Sequence, residues 1–350
     1  MKLLILNYSM NESSLVFSHQ REIARGLAEQ FEETTVITAD EDIGSNLPGI
    51  RIFSSNWKPN KRIMSILKFY RLALPLIQKN HSNLIVFSHM TEVQSFLIAP
   101  WCRLFGVPHF IWYAHASKSF FLYSSYPLVN GIITSTSGSC PLKGKKVHVI
   151  GQAIDEAILK REISGVKFPP LRWYHVGRID PSKNIDLIIS VFKQLRAEGW
   201  ELTLDLYGAP SSDKSIGYYT ALLKEIQDEE NLNWVSFRGP IRRDQLHSVA
   251  SDHDGFVHAF QGSLDKTVLE ATLCKRIVVS INPEYMKEFS IQNDFNTNLE
   301  QSLFAHMLRA LRANPEALSK ALELNFKICK GRHTSERWFI EICKVLENDK

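Results

Sequence analysis

Residues 177–183 form a short loop that carries a glycine and two cations. Gly177 allows the backbone to approach a ligand closely, because glycine has no side chain. Arg178 and Lys183 bring two positive charges to the end of a preceding apolar strand. Such a pair suits a diphosphate, whose negative charge grows as its bond to a sugar breaks. The loop is therefore a candidate phosphate site, with an ordinary charged surface loop as the alternative.

A second candidate site follows another strand. The strand Gly255–His258, a loop over residues 259–265, the helix Lys266–Cys274 and the strand Arg276–Ile281 have the order of a βαβ unit. Ligands of parallel sheets bind at the carboxyl ends of strands, beside helix N-termini whose free amides favour anions. Glu270 lies one turn into this helix, where an apolar residue would pack more simply. It is predicted to contact a ribose or sugar hydroxyl, or else to cap local backbone or pair with a lysine.

The elements that position these loops alternate between strand and helix, which predicts an α/β fold. The pattern indicates two Rossmann-like, doubly wound parallel-sheet domains facing a central cleft. The mixed-charge stretch 160–170, which contains Pro169–Pro170, places the boundary between an N-terminal domain of residues 1–165 and a C-terminal domain of residues 166–350. The last helix is expected to pack back on the N-terminal domain.

Ten further strands are predicted from short apolar runs: Lys2–Asn7, Thr34–Ala39, Ile50–Ser54, Leu84–Ser88, His109–Tyr113, Gly131–Thr134, Val147–Ile150, Arg172–Val176, Leu202–Tyr207 and Trp234–Arg238. Helical periodicity is strongest over Lys61–Asn80, Ile185–Glu198 and Tyr218–Glu230, and in three segments after Leu299.

Composition is that of a soluble globular chain, with 350 residues of which 44% are hydrophobic and 22% charged. The five cysteines show neither a disulfide pattern nor metal-ligand spacing, so no metal is predicted and a reducing cytosol is the expected compartment. No apolar run reaches the roughly 20 residues of a membrane span.

Charge is distributed unevenly, because Glu92 is the only acidic residue between Ile43 and Ile154. On the helix predicted from Lys61, the residues Lys61, Met64, Lys68 and Arg71 recur at helical spacing and form one stripe. The apolar residues expected to face the core are Ile63, Ile66, Leu67, Tyr70 and Leu74. A basic stripe suits an anionic membrane surface, so we expect a cytoplasmic protein that is peripheral on the inner face of the cell membrane. An ordinary solvated helix face is the alternative.

The stretch SLDKTVLEATLCKRIVVS, residues 263–280, resembles the signature helix of the retaining glycosyltransferases of family four, which have the GT-B fold. The loop from Gly177 and Arg178 to Lys183 is similar to the Gly-Arg…Lys loop of that family. The turn at Gly208 resembles its nucleotide-pocket turn. The resemblance is strong from Trp173 to Ser280 and general in the N-terminal half.

This resemblance implies transfer of a sugar, with retention, from a nucleotide diphosphate sugar to a saccharide or lipid-linked acceptor, in cell-surface polysaccharide or glycolipid synthesis. It implies no metal and no cofactor. Arg178 and Lys183 would stabilise the leaving diphosphate, and His115, at the end of another strand, would contact the sugar. The donor would be held by Gly177, Gly208, Ser263, Leu264, Asp265, Lys266, Thr267 and Glu270.

The sequence departs from the family pattern at Gly262, where relatives carry a first glutamate that contacts the donor sugar. Asp265 and Lys266 follow closely, and we predict that one of them replaces that glutamate.

Three other functions fit parts of the sequence. The missing glutamate is compatible with a non-catalytic nucleotide-sugar-binding or scaffolding protein. The fold is compatible with another GT-B enzyme, such as a nucleotide-sugar epimerase. The basic half is compatible with a nucleic-acid binder, but the chain has no recognised nucleic-acid module, so no nucleic-acid partner is predicted.

Overall fold

The computed structural model describes residues 1–11, 17–159, 165–228, 233–291 and 298–348. Two compact units divide the chain. The first comprises Met1–Gly151 together with Trp338–Lys350, and the second comprises Gln152–Arg337. The boundary predicted between residues 165 and 166 lies further along the chain. Residues just after Gly151 join the second unit because Ile154 bridges Thr334 and the Gln152 amide donates to His333 Nδ1 over 3.0 Å.

Twelve strands are formed by the described residues: β1 Lys2–Asn7, β2 Glu33–Thr38, β3 Ile50–Ser54, β4 Leu84–His89, β5 His109–Trp112, β6 Gly131–Thr134, β7 Val147–Val149, β8 Arg172–Val176, β9 Thr203–Tyr207, β10 Val235–Gly239, β11 Gly255–His258 and β12 Ile277–Ser280. Their helices are α1 Ser18–Ala28, α2 Arg62–Asn80, α3 Glu92–Phe105, α4 Phe120–Ser125, α5 Ile185–Ala197, α6 Asp213–Asp228, α7 Leu246–Asp252, α8 Lys266–Leu273, α9 Pro283–Glu288, α10 Leu299–Leu311, α11 Pro315–Arg332 and α12 Ser335–Asn348.

Both units are built on a parallel sheet. The first has seven strands in the order β3-β2-β1-β4-β5-β6-β7, and the second has five in the order β10-β9-β8-β11-β12. Every pairing between neighbouring strands is parallel. The central strands read as continuous apolar runs because both faces of a parallel sheet are covered. The predicted α/β class with two parallel sheets is confirmed.

Alternate side chains of the second sheet enter two different apolar clusters. Trp173 of β8 and Val257 of β11 pack with α5 and α10 on one face. Tyr174 of β8 and Phe256 of β11 pack with α7, α8 and α9 on the other. Because successive strand residues point to opposite faces, helices cover both sides of the sheet, as a doubly wound fold requires.

The most apolar segment of the sequence, residues 96–114, folds as a helix followed by a strand. The helix α3 ends at Gly106, whose φ of 66° is the left-handed conformation that glycine favours at a helix C-terminus. Pro108 and β5 follow. The sequence analysis did not assign α3, because Arg103, Gly106 and Pro108 interrupt the apolar run. Among the described residues, no helix is both long and apolar enough to cross a membrane.

The orientation of α2 corrects one prediction. Ile63 and Leu67 were expected in the core, but they are 76% and 55% exposed. The buried face consists of Ser65, Phe69, Ala73 and Ile77. A serine fits this face because its hydroxyl accepts the Lys58 amide at 3.0 Å, which fixes the chain before the helix. The hydrophobic pattern could not reveal a core position that is polar and satisfied by backbone.

The last helix, α12, contributes to the core of the first unit. The Trp338 ring meets the rings of Trp112 and Phe87, with centroid distances of 5.3 and 6.5 Å. A methyl group added at Gly26 of α1 would overlap the Phe339 ring, so α1 and α12 are in close contact. Glycine at position 26 allows this contact.

Gly255 begins β11 where the strand crosses the Trp173 ring, and a methyl group there would overlap that ring. We expect Gly255→Ala to lower the free energy of unfolding by about 1–3 kcal/mol, as overpacking does. The matched control is Gly217→Ala in α6, whose added methyl has nothing within 4 Å. It should raise the free energy of unfolding by about 0.5–1 kcal/mol through helix propensity. Chemical denaturation measures the free energy of unfolding of both variants. A Gly255→Ala protein as stable as wild type would contradict the close contact between Gly255 and the Trp173 ring.

Candidate active site

The candidate site lies at a topological switch point of the second sheet. The chain runs from β8 to β9 on one side of β8, whereas β11 pairs with β8 on the other side. Loops leaving the carboxyl ends of strands on the two sides diverge at such a point and leave a crevice where ligands bind. The two loops singled out from the sequence are the loops after β8 and β11, so the sheet brings them together.

Two glycines let the loops after β8 and β9 approach each other. Gly208 has φ +154°, and a methyl group on it would overlap the Gly177 carbonyl oxygen. The Gly177 amide donates to the Tyr207 carbonyl at 3.0 Å, and the Ile179 amide donates to the Ala209 carbonyl at 3.1 Å. Backbone geometry therefore requires glycine at position 208, whereas a methyl group at Gly177 would meet only the His175 ring, with Nε2 at 3.0 Å.

The loop after β8 presents Arg178 to solvent. In the described part of the chain, its guanidinium makes no hydrogen bond or ion pair. The turn that follows is fixed by Asp180, which accepts hydrogen bonds from the Ser182 amide at 3.0 Å and the Ser215 hydroxyl at 2.7 Å. The hydrogen bonds from Ser182 and Ser215 lower the Asp180 pKa to about 2. A rigid turn thus carries a cation that is available to a ligand.

Lys183 differs from Arg178, because its side chain is only 8% exposed and is already paired. Its ammonium forms an ion pair with Asp265 of the loop after β11. The same ammonium lies 3.9 Å from the centroid of the Phe260 ring, a cation–π contact. Nearby, Asn184 donates to the Ala259 carbonyl at 2.8 Å. These contacts tie the loops after β8 and β11 together.

Asp265 is held by a second partner, His258, whose Nε2 lies 3.1 Å from the same carboxylate oxygen, Oδ2. Burial alone would raise the Asp265 pKa, but the His258 hydrogen bond and the Lys183 charge lower it well below its usual range. Burial lowers the pKa of His258, so its ring is neutral and donates through Nε2. His258 Nδ1 lies 3.0 Å from the Ser280 hydroxyl. Oδ1 of Asp265 accepts no hydrogen bond from the described residues.

The loop after β11 has no room for a side chain at position 262. A methyl group at Gly262 would overlap the Phe260 ring, the ring that contacts Lys183. Asn282, which is fully buried, fixes the loop by donating to the Phe260 and Gly262 carbonyls at 2.9 and 3.1 Å. With the Phe260 ring in this position, the loop accommodates glycine at position 262.

The N-terminus of α8 is not capped by a side chain. Asp265 occupies the N-cap position, but it accepts no hydrogen bond from the first helical turn because Lys183 and His258 hold its Oδ2. The amides of the first turn have no intrahelical acceptor and carry a partial positive charge. Thr267 Oγ1 is buried, with no hydrogen-bond partner among the described residues. This helix end is suited to an anion.

Ser263 and Leu264 of the preceding loop are buried, and Leu264 packs in the core cluster with Val268. Its carbonyl accepts the Gln152 side-chain amide at 3.4 Å. The Leu264 side chain therefore belongs to the core rather than to the surface of the candidate site.

Glu270 is 5% exposed and forms an ion pair of 2.8 Å with Arg243, which follows β10. This pair satisfies Oε1, while Oε2 accepts no hydrogen bond among the described residues. The Glu270 charge raises the Arg243 pKa. Lys266, one turn before Glu270, has its pKa lowered to about 7 by burial and then by the Arg243 charge. The protein partner of Glu270 is thus an arginine, Arg243, rather than the lysine or local backbone given as the alternative from the sequence.

The remaining predicted residues lie in the first unit. His115 is exposed in the loop after β5, with its ring 5.9 Å from the Tyr113 ring. Lys61 immediately precedes α2, and Lys68 and Arg71 lie on its exposed side. No group of His, Cys, Asp and Glu residues with the geometry of a metal site occurs in the described ranges.

Sequence reasoning missed four residues of the site: His258, Phe260, Asn282 and Arg243. A histidine ending an otherwise apolar strand was one available signal, because buried polar side chains need partners. His175 gives a similar signal on β8. Its Nδ1 is 2.9 Å from the Val257 carbonyl, and its buried Nε2 has no partner in the part of the chain described. Burial lowers its pKa to about 3, so it is neutral.

Breaking a buried ion pair lowers the free energy of unfolding by roughly 3–5 kcal/mol. We expect Lys183→Met to lower it by an amount at the lower end of this range, because Asp265 is partly exposed. Adding Asp265→Leu should recover part of the loss, because no unpaired charge then remains. A double-mutant cycle by chemical denaturation measures this coupling. Lys320→Met breaks the exposed Lys320–Glu316 pair and should change stability by at most about 1 kcal/mol. Strict additivity of the two site substitutions contradicts the coupling.

Comparison with known proteins adds independent information. A family model described as glycosyl transferases group 1 matches residues 171–321. No curated protein matches the chain by sequence.

Solved structures match over almost the whole chain. HepE of Anabaena, in complex with UDP, has a TM-score of 0.75 at 16% identity, covering 99% of this chain and 100% of that one. Sucrose-phosphate synthase from Thermosynechococcus elongatus has a TM-score of 0.75 at 13% identity, with 99% of each chain covered. A glycosyltransferase from Rickettsia africae has a TM-score of 0.74 at 13% identity, covering 99% of this chain and 98% of that one. Residues 171–321 therefore match the model of the group 1 glycosyl transferases, and the whole chain has the GT-B fold of these solved structures.

Proposed function

We propose that the chain is a retaining glycosyltransferase that moves a sugar from a nucleotide diphosphate sugar to an acceptor hydroxyl. The observation that carries this proposal is the pairing of an uncapped helix N-terminus, at α8, with the unpaired cation Arg178 at the switch point of the second sheet. Helix amides and a guanidinium both bind phosphate oxygens well. The group 1 family match of the same region supports a sugar nucleotide as the ligand.

In the proposed reaction, the bond between the anomeric carbon and the diphosphate oxygen breaks and a bond to the acceptor oxygen forms on the same face. The acceptor proton passes to the leaving diphosphate. Arg178 and the first-turn amides of α8 stabilise the negative charge that develops on the diphosphate. Lys183 contributes a second positive charge from beneath the loop, while it also holds Asp265 in place. No metal is required in this scheme.

Donor recognition is assigned to two carboxylates with different environments. Arg243 holds Oε1 of Glu270, which leaves Oε2 to accept hydrogen bonds from the ribose hydroxyls. Lys183 and His258 hold Oδ2 of Asp265, which leaves Oδ1 to accept from a sugar hydroxyl. Asp265 rather than Lys266 is thus our choice for replacing the glutamate that relatives carry at position 262. Its low pKa keeps it an acceptor at neutral pH.

HepE has been solved with UDP and glucose and with UDP-glucose. These complexes make a uridine diphosphate sugar the first donor to test here. We further propose that the acceptor is a saccharide or a lipid-linked saccharide, in polysaccharide or glycolipid synthesis. His115 remains the predicted sugar contact from the first unit. The expected location is the cytoplasmic face of the cell membrane, where such an acceptor is exposed.

One observation favours a second function. Position 262 carries glycine where relatives carry a glutamate, and the Phe260 ring fills the space beside this glycine. A protein that binds nucleotide sugars without transferring them has the same phosphate-binding features. A nucleotide-sugar epimerase would also bind the donor, but it would change the donor without needing an acceptor. Measuring nucleoside diphosphate release with and without acceptor separates both of these functions from that of a transferase.

The proposed function is tested first by thermal shift with uridine, guanosine and adenosine diphosphates. The matching nucleotide at 100 times its dissociation constant should stabilise the protein by about 2.7 kcal/mol.

With the matching donor sugar and acceptor, NMR should show a product with the donor's anomeric configuration. Addition of a chelator should not change the rate. Arg178→Ala should reduce turnover at least about 100-fold, with unchanged stability because the residue is exposed. An inverted product, or a fully active Arg178→Ala, contradicts the mechanism.

The assignment of the two carboxylates is tested by separating binding from transfer. Asp265→Asn should impair sugar transfer more than binding of the free nucleoside diphosphate, because Asp265 is assigned to the sugar. Glu270→Ala should weaken both, because it is assigned to the ribose. Calorimetry with the diphosphate and initial rates with the donor sugar measure the two effects. Asp252→Asn, an exposed carboxylate near β11, is the control and should leave both unchanged. Small and equal effects of the two site substitutions favour the non-catalytic binder.

A further inference from the structure

The outward side of α2 combines exposed apolar and basic side chains. Ile63, Met64 and Leu67 are 76%, 67% and 55% exposed, among the highest values for large apolar residues of the described chain. They lie within the first two turns of the helix, beside Lys68 and Arg71, which are also exposed. Because Ser65 and Phe69 face the core, helical geometry directs Ile63, Met64 and Leu67 outward. We refer to residues 61, 63, 64, 67, 68 and 71 as the α2 surface.

The charges of the α2 surface are not neutralised locally. Lys61, Lys68 and Arg71 form no ion pair with any described residue. The neighbouring Lys58 has one acidic partner, Glu41, at 3.6 Å. Between Ile43 and Ile154, the only acidic residue is Glu92. A solvated face usually mixes both signs of charge, so this surface is suited to an anionic partner.

A groove of about 810 Å³ runs along the same surface. It is lined by basic and apolar side chains together, among them Lys58, Lys61, Met64, Lys68, Arg71 and Leu72. Basic groups beside exposed apolar side chains match the boundary between lipid headgroups and acyl chains. Trp57, which precedes α2 in the chain, packs on Phe69 with a distance of 6.4 Å between the ring centroids. Apolar contact with a partner therefore falls to Ile63, Met64 and Leu67.

We propose that the α2 surface binds the surface of an anionic bilayer, with Ile63, Met64 and Leu67 inserted at the headgroup boundary and the three cations on lipid phosphates. This inference rests on the proposed function, which supplies the identity of the acceptor. It adds the surface through which the protein would reach a lipid-linked acceptor. Protruding aliphatic side chains distinguish this surface from a nucleic-acid site, which would offer stacking aromatics among the cations. Because the cations of the α2 surface complement negative charge, we propose an anionic lipid surface as its partner.

The test is co-sedimentation of the full chain, without nucleotide, with vesicles of phosphatidylcholine alone or mixed with phosphatidylglycerol. Wild type should bind only the anionic vesicles. Binding should weaken between about 0.01 M and 1 M salt, as the Debye length falls from about 30 to about 3 Å. Lys61→Glu/Lys68→Glu/Arg71→Glu should lower affinity for anionic vesicles by at least about 100-fold, from the loss of three cation contacts.

A second variant, Ile63→Ser/Met64→Ser/Leu67→Ser, keeps every charge and tests insertion. Its affinity should fall at least about tenfold, and the binding that remains should disappear at high salt. Three exposed lysines of the second unit, reversed as Lys214→Glu/Lys224→Glu/Lys327→Glu, match the charge change and should bind like wild type. All substituted residues are exposed, and circular dichroism checks that each variant is folded.

Three results overturn the proposal: wild type ignoring anionic vesicles at low salt, the charge control losing binding as the α2 variant does, or the serine variant binding like wild type at every salt. Failure of the proposed function is recognised separately, because the thermal shift with nucleoside diphosphates contains no lipid. If the protein binds vesicles but no nucleotide, the membrane proposal for the α2 surface is supported and the proposed glycosyltransferase function is contradicted.

Discussion

The ion pair between Lys183 and Asp265 is the interaction on which the second unit's site depends. It joins the loop after β8 to the loop after β11 at the place where the sheet order reverses. The pair is tolerated away from water because His258 donates to the same carboxylate and Phe260 covers the ammonium. A buried charge without such partners would be strongly destabilising. The geometry of the crevice is therefore fixed by electrostatics as much as by packing.

This pair also determines what α8 offers to a ligand. An aspartate before a helix ordinarily caps the first-turn amides and reduces their availability. Here the carboxylate is turned toward Lys183 and His258, so the amides remain uncapped. The same arrangement presents one carboxylate oxygen that has no described partner. One residue thus accounts for an uncapped helix end and a hydrogen-bond acceptor beside it.

The α2 surface follows from a different constraint. A helix has one buried face, and in α2 that face is taken by Phe69, Ala73 and Ile77, with Ser65 satisfied by the backbone of Lys58. Apolar residues in excess of that face have no core position left, so Ile63, Met64 and Leu67 are exposed. Exposed apolar side chains that are grouped on one side of a helix are a feature of interaction surfaces.

The sequence by itself determined the strands, the parallel α/β class and the two loops that carry the site, because these follow from short-range patterns. Apolar runs specify buried strands, glycines specify close backbone approaches, and a strand–loop–helix order specifies where ligands bind. The helices α3, α4 and α9 escaped prediction, and in α3 the reason is that Arg103, Gly106 and Pro108 interrupt the apolar run.

Only the tertiary structure decided the partners of the charged residues. Lys183 and Asp265 are 82 residues apart in sequence, and Glu270 meets Arg243 across 27 residues. No local pattern identifies a partner at such a separation, because pairing depends on which strands lie side by side in the sheet. The sequence could not show that Phe260 occupies the space beside Gly262, nor which side of α2 is buried. Both depend on atoms brought together by packing, and packing exists only once the chain has folded.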